Sequence, residues 1–501
     1  MPDNLFARVL AVSDLGRDFL RPIDGPALRY QEAFAISARL AHALVRHGAK
    51  PGDRVAVQVE KSPIALLLYL ACLRAGLVYL PLNTGYTPAE LAYFALDSEP
   101  CLFVCSDKNR EKIAACLPGM AFLTLSDDGR DGSLIREAAD APEVFADAET
   151  GMGDLASILY TSGTTGRSKG AMLTHGNLTS NAMSLRQAWE FSQNDVLLHA
   201  LPIFHIHGLF VATNVSLLSG ASMLFLPKFE PDAVFQALPQ ASVMMGVPTF
   251  YTRLLKDERL DKDRTRHMRL FISGSAPLLA ETHNQWQART GHAILERYGM
   301  TETNMNTSNP YHGDRIPGSV GLPLPGVEIR IADGDGRPAP QGEIGMIEVR
   351  GPNVFKGYWK MPEKTAAEFR PDGFFITGDL GTIGANGYLS IVGRGKDLII
   401  TGGLNVYPRE IESLLDELPG VEESAVVGLP HDDFGEGVTA FLVLKPGARL
   451  TQESVLESLS DRLARFKLPK RVFFVDQLPR NSMGKVQKSA LRQEYAGLYQ
   501  A

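Results

Sequence analysis

The sequence predicts an α/β protein: a large multi-layered N-terminal domain of β-sheets and helices, followed by a small α+β C-terminal domain. Size, element alternation and a late change of texture point there. A chain of 501 residues with 45% hydrophobic and 21% charged side chains can bury several cores and divides into roughly two to four domains. Its first third alternates strand-like with helix-like pieces, the pattern of layered α/β bodies. From Gly373 onward, short alternating strands and tight turns replace them.

Val55, Val57 and Val59 alternate with Ala56 and Gln58, which is the period of a strand. Ser62 then offers an N-cap, Pro63 a first helical position and Gly76 a stop. Thr87, Pro88 and Glu90 repeat the device as a capping box opening a helix over 89–96. Residues 126–151 are acidic, alanine-rich and weakly periodic, so an exposed excursion is expected there. Apolar strands over 155–159 and 171–173 flank a loop of glycines and hydroxyls. Past Gly373, Ala385-Asn386-Gly387 closes a hairpin, and the glycines between Arg394 and Gly403 suggest a hinge. A boundary at Lys396 gives domains 1–395 and 396–501. The second holds a helix over 411–418, strands near 425–427 and 439–444, and an amphipathic helix bearing Val455, Leu459 and Leu463.

Charge and cysteine usage exclude several classes. Lys plus Arg number 50 against 57 Asp plus Glu, a net charge of −7, so there is no global attraction to nucleic acid or anionic membrane. Cys72, Cys101, Cys105 and Cys116 show no CxxC spacing and no nearby histidine, as expected in a reducing cytoplasm. The N-terminus carries Asp3 and no basic-then-apolar leader, and the apolar run over 64–73 is too short to span a bilayer.

The chemistry lies in polar loops. In the run from Tyr160 to Gly170, Gly163, Gly166 and Gly170 let backbone amides approach phosphate oxygens; Ser162, Thr164, Thr165 and Ser168 add hydroxyls, and Lys169 adds charge. The GxxxxGK[ST] spacing of a P-loop is absent. Further loops follow at 272–277, 296–303, 375–379, 393–397 and 479–488. His199, His205 and His207 include an HxH pair, but no acidic or cysteine partner follows to complete a zinc site. Gly151-Met-Gly153 precedes a strand rather than a helix, which disfavours a dinucleotide fingerprint.

This ordered series, from about residue 25 to the C-terminus, resembles the adenylate-forming enzymes: acyl-CoA synthetases, luciferases and peptide-synthetase adenylation domains. The resemblance implies the adenylate-forming enzyme fold, with ATP, magnesium and coenzyme A as cofactors and a C-terminal domain that swings about Lys396. It also implies that Thr161, Ser162, Gly163, Thr164, Thr165, Gly166 and Lys169 wrap the β- and γ-phosphates. Gly274, Ser275 and Ala276 would line the adenine and acyl sites, and Glu296, Arg297, Tyr298, Gly299, Met300 and Thr301 the ATP site, Tyr298 stacking on adenine. Asp379 would grip the ribose hydroxyls beside Arg394, and Glu302 with Thr165 would hold magnesium. Lys485 would place an ammonium between the attacking carboxylate and the α-phosphate.

The resemblance is tightest to malonyl-CoA synthetases, through the stretches 199–208, 246–253 and 299–306. Malonate keeps a second carboxylate after the first is adenylated, and a buried Arg253 would bind it through two parallel hydrogen bonds. Counted around a helix from Pro248, Arg253 falls on the flank of the apolar stripe, which leaves pocket and solvent both open. His207, Ser275 and Met305 would complete the acid pocket, and Gly402, Gly403 and Arg465 would receive coenzyme A. The expected activity is malonate–CoA ligation with AMP and pyrophosphate as products, methylmalonate as a secondary substrate, and another short or medium acid as the alternative. No carrier segment follows Lys485, which favours a free thiol acceptor over peptide-synthetase chemistry. A nucleotide sensor with a degenerate site is the rival from another class. The expected setting is cytoplasmic, as monomer or weak homodimer, without nucleic-acid or membrane partners, and with Lys485 open to a lysine acetyltransferase.

Overall fold

The computed structural model describes residues 3–161, 168–402, 404–431, 433–481 and 484–499. Among these, the strands form four sheets. A seven-stranded sheet orders Gly357–Tyr358, Lys169–Thr174, Leu155–Thr161, Val78–Pro81, Arg54–Gln58, Leu102–Cys105 and Phe122–Thr124. Its central pairs are parallel, while Leu155–Thr161 and Lys169–Thr174 are antiparallel and bring Thr161 opposite Lys169. The predicted caps form beneath it. The Ser62 side chain accepts from the Ala65 amide ahead of the helix Pro63–Arg74, which is apolar up to Arg74. Thr87 and Glu90 close their reciprocal box at the start of Pro88–Ser98.

A nine-stranded sheet orders Leu322–Pro323, Asn304–Ser308, Leu295–Met300, Leu270–Ser273, Val243–Gly246, Val196–His199, Ser222–Phe225, Asp18–Pro22 and Leu28–Arg29. Leu295–Met300, Leu270–Ser273, Val243–Gly246 and Val196–His199 run parallel. Their carboxyl ends, Met300, Ser273, Gly246 and His199, therefore emerge along one edge, where open α/β sheets place ligands. One continuous apolar cluster, from Leu5 to Leu389, joins this sheet to the seven-stranded one.

Residues 126–151 are less exposed than their composition suggests. They carry the helix Ser133–Ala139, which buries Leu134 and Ala138, and Asp147 pairs at 2.7 Å with the buried Arg74. An ion pair under partial burial holds this acidic stretch against the body.

A four-stranded antiparallel sheet, Glu328–Ala332, Gly345–Arg350, Phe375–Ile383 and Leu389–Arg394, sets Asp379 directly opposite Arg394. A single turn, Gly395–Asp397, carries the exposed Lys396. Beyond it a separate sheet takes Leu404–Val406, Ile399–Thr401, Gly435–Leu444, Val421–His431 and Arg471–Phe474. Helices Pro408–Asp416 and Gln452–Ser460 cover one face through Ile411, Leu415, Val455 and Leu459; Leu491 of Lys488–Glu494 packs with Phe441 on the other. No helix among the described residues is long and apolar enough to cross a membrane.

Candidate active site

The edge where the parallel strands end gathers the candidate residues. Strand Leu295–Met300 divides them by alternation, since successive side chains point to opposite faces. Tyr298 goes one way, and its hydroxyl donates to Asp379 Oδ2 at 2.6 Å. Arg394 Nε meets the other carboxylate oxygen at 2.7 Å. Asp379 is thus oriented from both sides, with one lone pair left on each oxygen for hydroxyl donors. Glu296 shares the face of Tyr298 and lies between the amides of Gly318 and Leu278, and burial pushes its carboxyl up to about 8.

Arg297 goes the other way and is 4% exposed. Among the described residues its Nε and Nη2 have no hydrogen-bond partner and it forms no ion pair. Burial lowers the guanidinium to about 9. Gly274 packs so closely on it that a Cβ there would collide with Arg297 Cζ. Next to it Ser275 takes φ +70°, a conformation that costs a serine ~1–3 kcal/mol and marks functional sites. This holds Ser275 Oγ 3.2 Å from His207 Nδ1. His207 is 1% exposed, and its Nε2 is buried without a partner among the described residues. Burial, then the neighbouring Arg297 and His205, keep its pKa well below the ordinary histidine range. A neutral imidazole that accepts the Ser275 proton at Nδ1 carries its own proton on Nε2, directed at whatever fills the pocket. Met305 is buried opposite Gly299; Met300 and Thr301 are half-buried at the strand end.

Arg253 does not occupy this pocket. It is exposed on the helix Pro248–Leu255 and forms no ion pair among the described residues. Tyr251 and Leu254 take the buried face, and Tyr251 fixes that rotation by donating to the Ile272 carbonyl at 2.6 Å. At ~100° per residue Arg253 is turned about 130° from the mean direction of those two anchors. The buried guanidinium is Arg297, which the sequence grouped with the nucleotide.

On the phosphate side, Ser162, Gly163, Thr164, Thr165 and Gly166 lie outside the described residues. Thr161 donates to Glu302 Oε1 at 3.3 Å. The Tyr358 hydroxyl is 3.1 Å from the same oxygen and donates to Glu368 at 2.6 Å. Lys169 pairs with Glu368 at 3.2 Å and lies 4.4 Å from the Tyr358 ring. Burial raises the Glu302 carboxyl above its ordinary value. Tyr358 and Glu368 escaped the sequence reading because neither sits in a glycine-rich loop. Among the described residues no cluster of three His, Cys, Asp or Glu could hold a metal unaided.

Lys485 comes from the small domain. Its amide donates to Asn481 Oδ1 at 2.9 Å, while Gly484, at φ +75°, closes the turn through its own amide to the Asn481 carbonyl. The side chain is exposed, and its ammonium lies within electrostatic reach of Arg394, Asp379, Arg297 and Glu302. Burial and then Arg394 lower it to about 8. His205, beside it, is driven to about 3 by burial, Lys485 and Arg297. Ala276, half-buried, follows Ser275. Gly402 donates to the Phe434 carbonyl at 2.8 Å at φ +58°, Gly403 lies outside the described residues, and Arg465 is exposed on the turn Arg465–Lys467.

The sequence matches the AMP-binding enzyme family over residues 17–359 and the AMP-binding enzyme C-terminal domain over residues 410–485. The chain is 60% identical to ATP-bound MatB from Rhodopseudomonas palustris, with full coverage of both chains and a TM-score of 0.98; against the apo form of that protein the TM-score is 0.86. It is 37% identical to a malonate–CoA ligase of Arabidopsis thaliana, over 89% of this chain and 78% of that one. It is also 37% identical to a feruloyl-CoA synthase of an Amycolatopsis species, over 94% of each. The two-domain fold, the ordered loops and these matches together make the chain a member of the AMP-binding, adenylate-forming enzyme family.

Proposed function

We propose that the chain is an AMP-forming acid–thiol ligase that joins malonate to coenzyme A through a malonyl-adenylate. The observation that carries this reading is Arg297, a buried guanidinium with unpaired donors and no carboxylate partner among the described residues. A buried charge of this kind is costly unless something pairs with it. A short diacid supplies the missing carboxylate, whereas an aromatic acid such as ferulate would leave the guanidinium unmatched. Malonate–CoA ligases of Arabidopsis, mouse and human at 34–37% identity support the same substrate.

In the first step a carboxylate oxygen of malonate attacks the α-phosphorus of ATP; the new O–P bond forms as the bond to pyrophosphate breaks. Arg297 holds the distal carboxylate, and the Nε2 proton of His207 orients the acid. Asp379, set by Tyr298 and Arg394, receives the ribose hydroxyls. The Lys485 ammonium stands between two anions and stabilises the charge that grows on the bridging oxygens. Lys169 and the Thr161–Gly166 loop take the outer phosphates. Glu302, beside the Thr161 hydroxyl, offers the oxygen donors that magnesium prefers. With Thr165 it would hold that ion, which would neutralise charge on the leaving pyrophosphate. In the second step, after the small domain turns about Lys396, the coenzyme A thiolate attacks the acyl carbon and AMP leaves. Gly402 and Gly403 admit the pantetheine arm, and Arg465 meets its phosphates.

The test is pyrophosphate release across malonate, methylmalonate, propionate, acetate and ferulate with ATP and coenzyme A. Malonate is expected to lead, with methylmalonate second. Acetate or ferulate ahead of malonate would overturn the reading, and no AMP from any acid would favour a nucleotide sensor.

A further inference from the structure

Lys61 is a buried amine that the proposed chemistry does not use. It is 8% exposed and forms no ion pair among the described residues. Its Nζ is 2.9 Å from His199 Nδ1 and 2.8 Å from the His199 carbonyl oxygen, and 4.3 Å from the centre of the Phe225 ring. His199, fully buried at the end of its strand, places Nε2 2.9 Å from the Gly208 carbonyl oxygen. A carbonyl only accepts, so Nε2 carries the ring proton and Nδ1 accepts from Lys61. The Thr213 hydroxyl donates to the same Gly208 oxygen at 3.0 Å.

Two buried side chains thus converge on one carbonyl, and that carbonyl lies in a π-helical turn, His207–Thr213. Such turns are rare and cluster at functional sites. Gly208 packs its Cα against the Pro202 carbonyl, leaving no room for a Cβ. The residue just before Gly208 is His207, whose Nε2 has no partner among the described residues and whose Nδ1 is tied to Ser275.

We propose that Lys61 and His199 are positioning residues of the acid site: they brace the Gly208 carbonyl and so hold the His207 ring with its free nitrogen toward the substrate carboxylate. This rests on the acid-binding role given to His207 above. A displacement of ~1 Å at such a group costs up to about a hundredfold.

The experiment compares Lys61→Met, His199→Phe and His199→Gln, reading KM for malonate, KM for ATP, kcat and Tm. Gln keeps an acceptor for Lys61 and a donor for Gly208, whereas Phe keeps neither. Lys61→Met and His199→Phe should raise KM for malonate at least about tenfold and leave KM for ATP within about twofold, with His199→Gln within about threefold of wild type. Unchanged malonate KM in His199→Phe, or equal shifts in both KM values, would overturn the brace. If Lys61→Met fails to fold, the His199 pair decides alone. If the wild type prefers a different acid, the same variants are scored on that acid's KM, so loss of the malonate reading and loss of the brace give different results.

Discussion

Replacing Arg297 with Met should damage catalysis while sparing the fold, because it removes a charge that no described residue pairs. Burial sets the guanidinium near 9, well below its ordinary value, which at ~1.4 kcal/mol per pH unit is a penalty of several kcal/mol on the charged form. A base with a depressed folded pKa carries this penalty in full below pH 9 and sheds it only as pH rises toward the unfolded value. At pH 7 Arg297→Met should therefore leave Tm no lower than wild type. Catalysis should move the opposite way. Once malonate is bound, removing one member of a buried ion pair costs about 3–5 kcal/mol, or roughly two to four decades in kcat/KM. Propionate keeps the reacting carboxylate and lacks the second, so its kcat/KM should change by less than about threefold. Pyrophosphate release with each acid, at saturating ATP and coenzyme A, reads the ratio, and a melt with and without malonate reads stability. Arg253→Ala, at an exposed position, should cost malonate turnover less than Arg297→Met. Equal losses for malonate and propionate, or malonate kcat/KM within about threefold of wild type, would refute the reasoning.

Lys485→Ala should abolish pyrophosphate release yet leave transfer from synthetic malonyl-adenylate to coenzyme A largely intact; equal loss of both steps would argue against the lysine acting only in adenylation. The free enzyme's Lys485 titrates at about 8, and the ammonium is present below that value, so kcat/KM for ATP should fall as pH rises through about 8. Thioester formation from synthetic adenylate should lack that limb, and a shared limb would assign it elsewhere. Tyr298→Phe removes the 2.6 Å bond to Asp379 and should raise KM for ATP about tenfold, since a hydrogen bond to a charged group is worth ~1.5–3 kcal/mol; KM for malonate should stay put, and a matching rise would place Tyr298 in the acid pocket.

Local signals were the legible part of the sequence. The Ser62 and Thr87 caps form as read because capping is settled within four residues. The small domain's strands are longer than predicted, since cross-strand pairing over Val421–His431 and Gly435–Leu444 recruits polar ends that carry no alternation. Its first helix starts earlier, at Pro408, where proline suits the first helical position. Arg297 was within reach: period-two alternation along Leu295–Met300 separates it from Glu296 and Tyr298. Arg253 was left at a stripe edge, and only the Tyr251 hydroxyl bond to the Ile272 carbonyl settles which way that helix faces. Lys61 and His199 stand 138 residues apart, and a lysine ahead of a helix cap reads as a solvated charge until the fold encloses it. The Glu302–Tyr358–Glu368 contacts likewise join segments that no spacing rule connects.

A crystal structure with a non-hydrolysable malonyl-adenylate analogue puts the account to its most direct test. The free carboxylate should accept two hydrogen bonds from Arg297 at ~2.7–2.9 Å, with His207 Nε2 at the acyl end. A free carboxylate facing bulk water or Arg253, with Arg297 still unpaired, would contradict it.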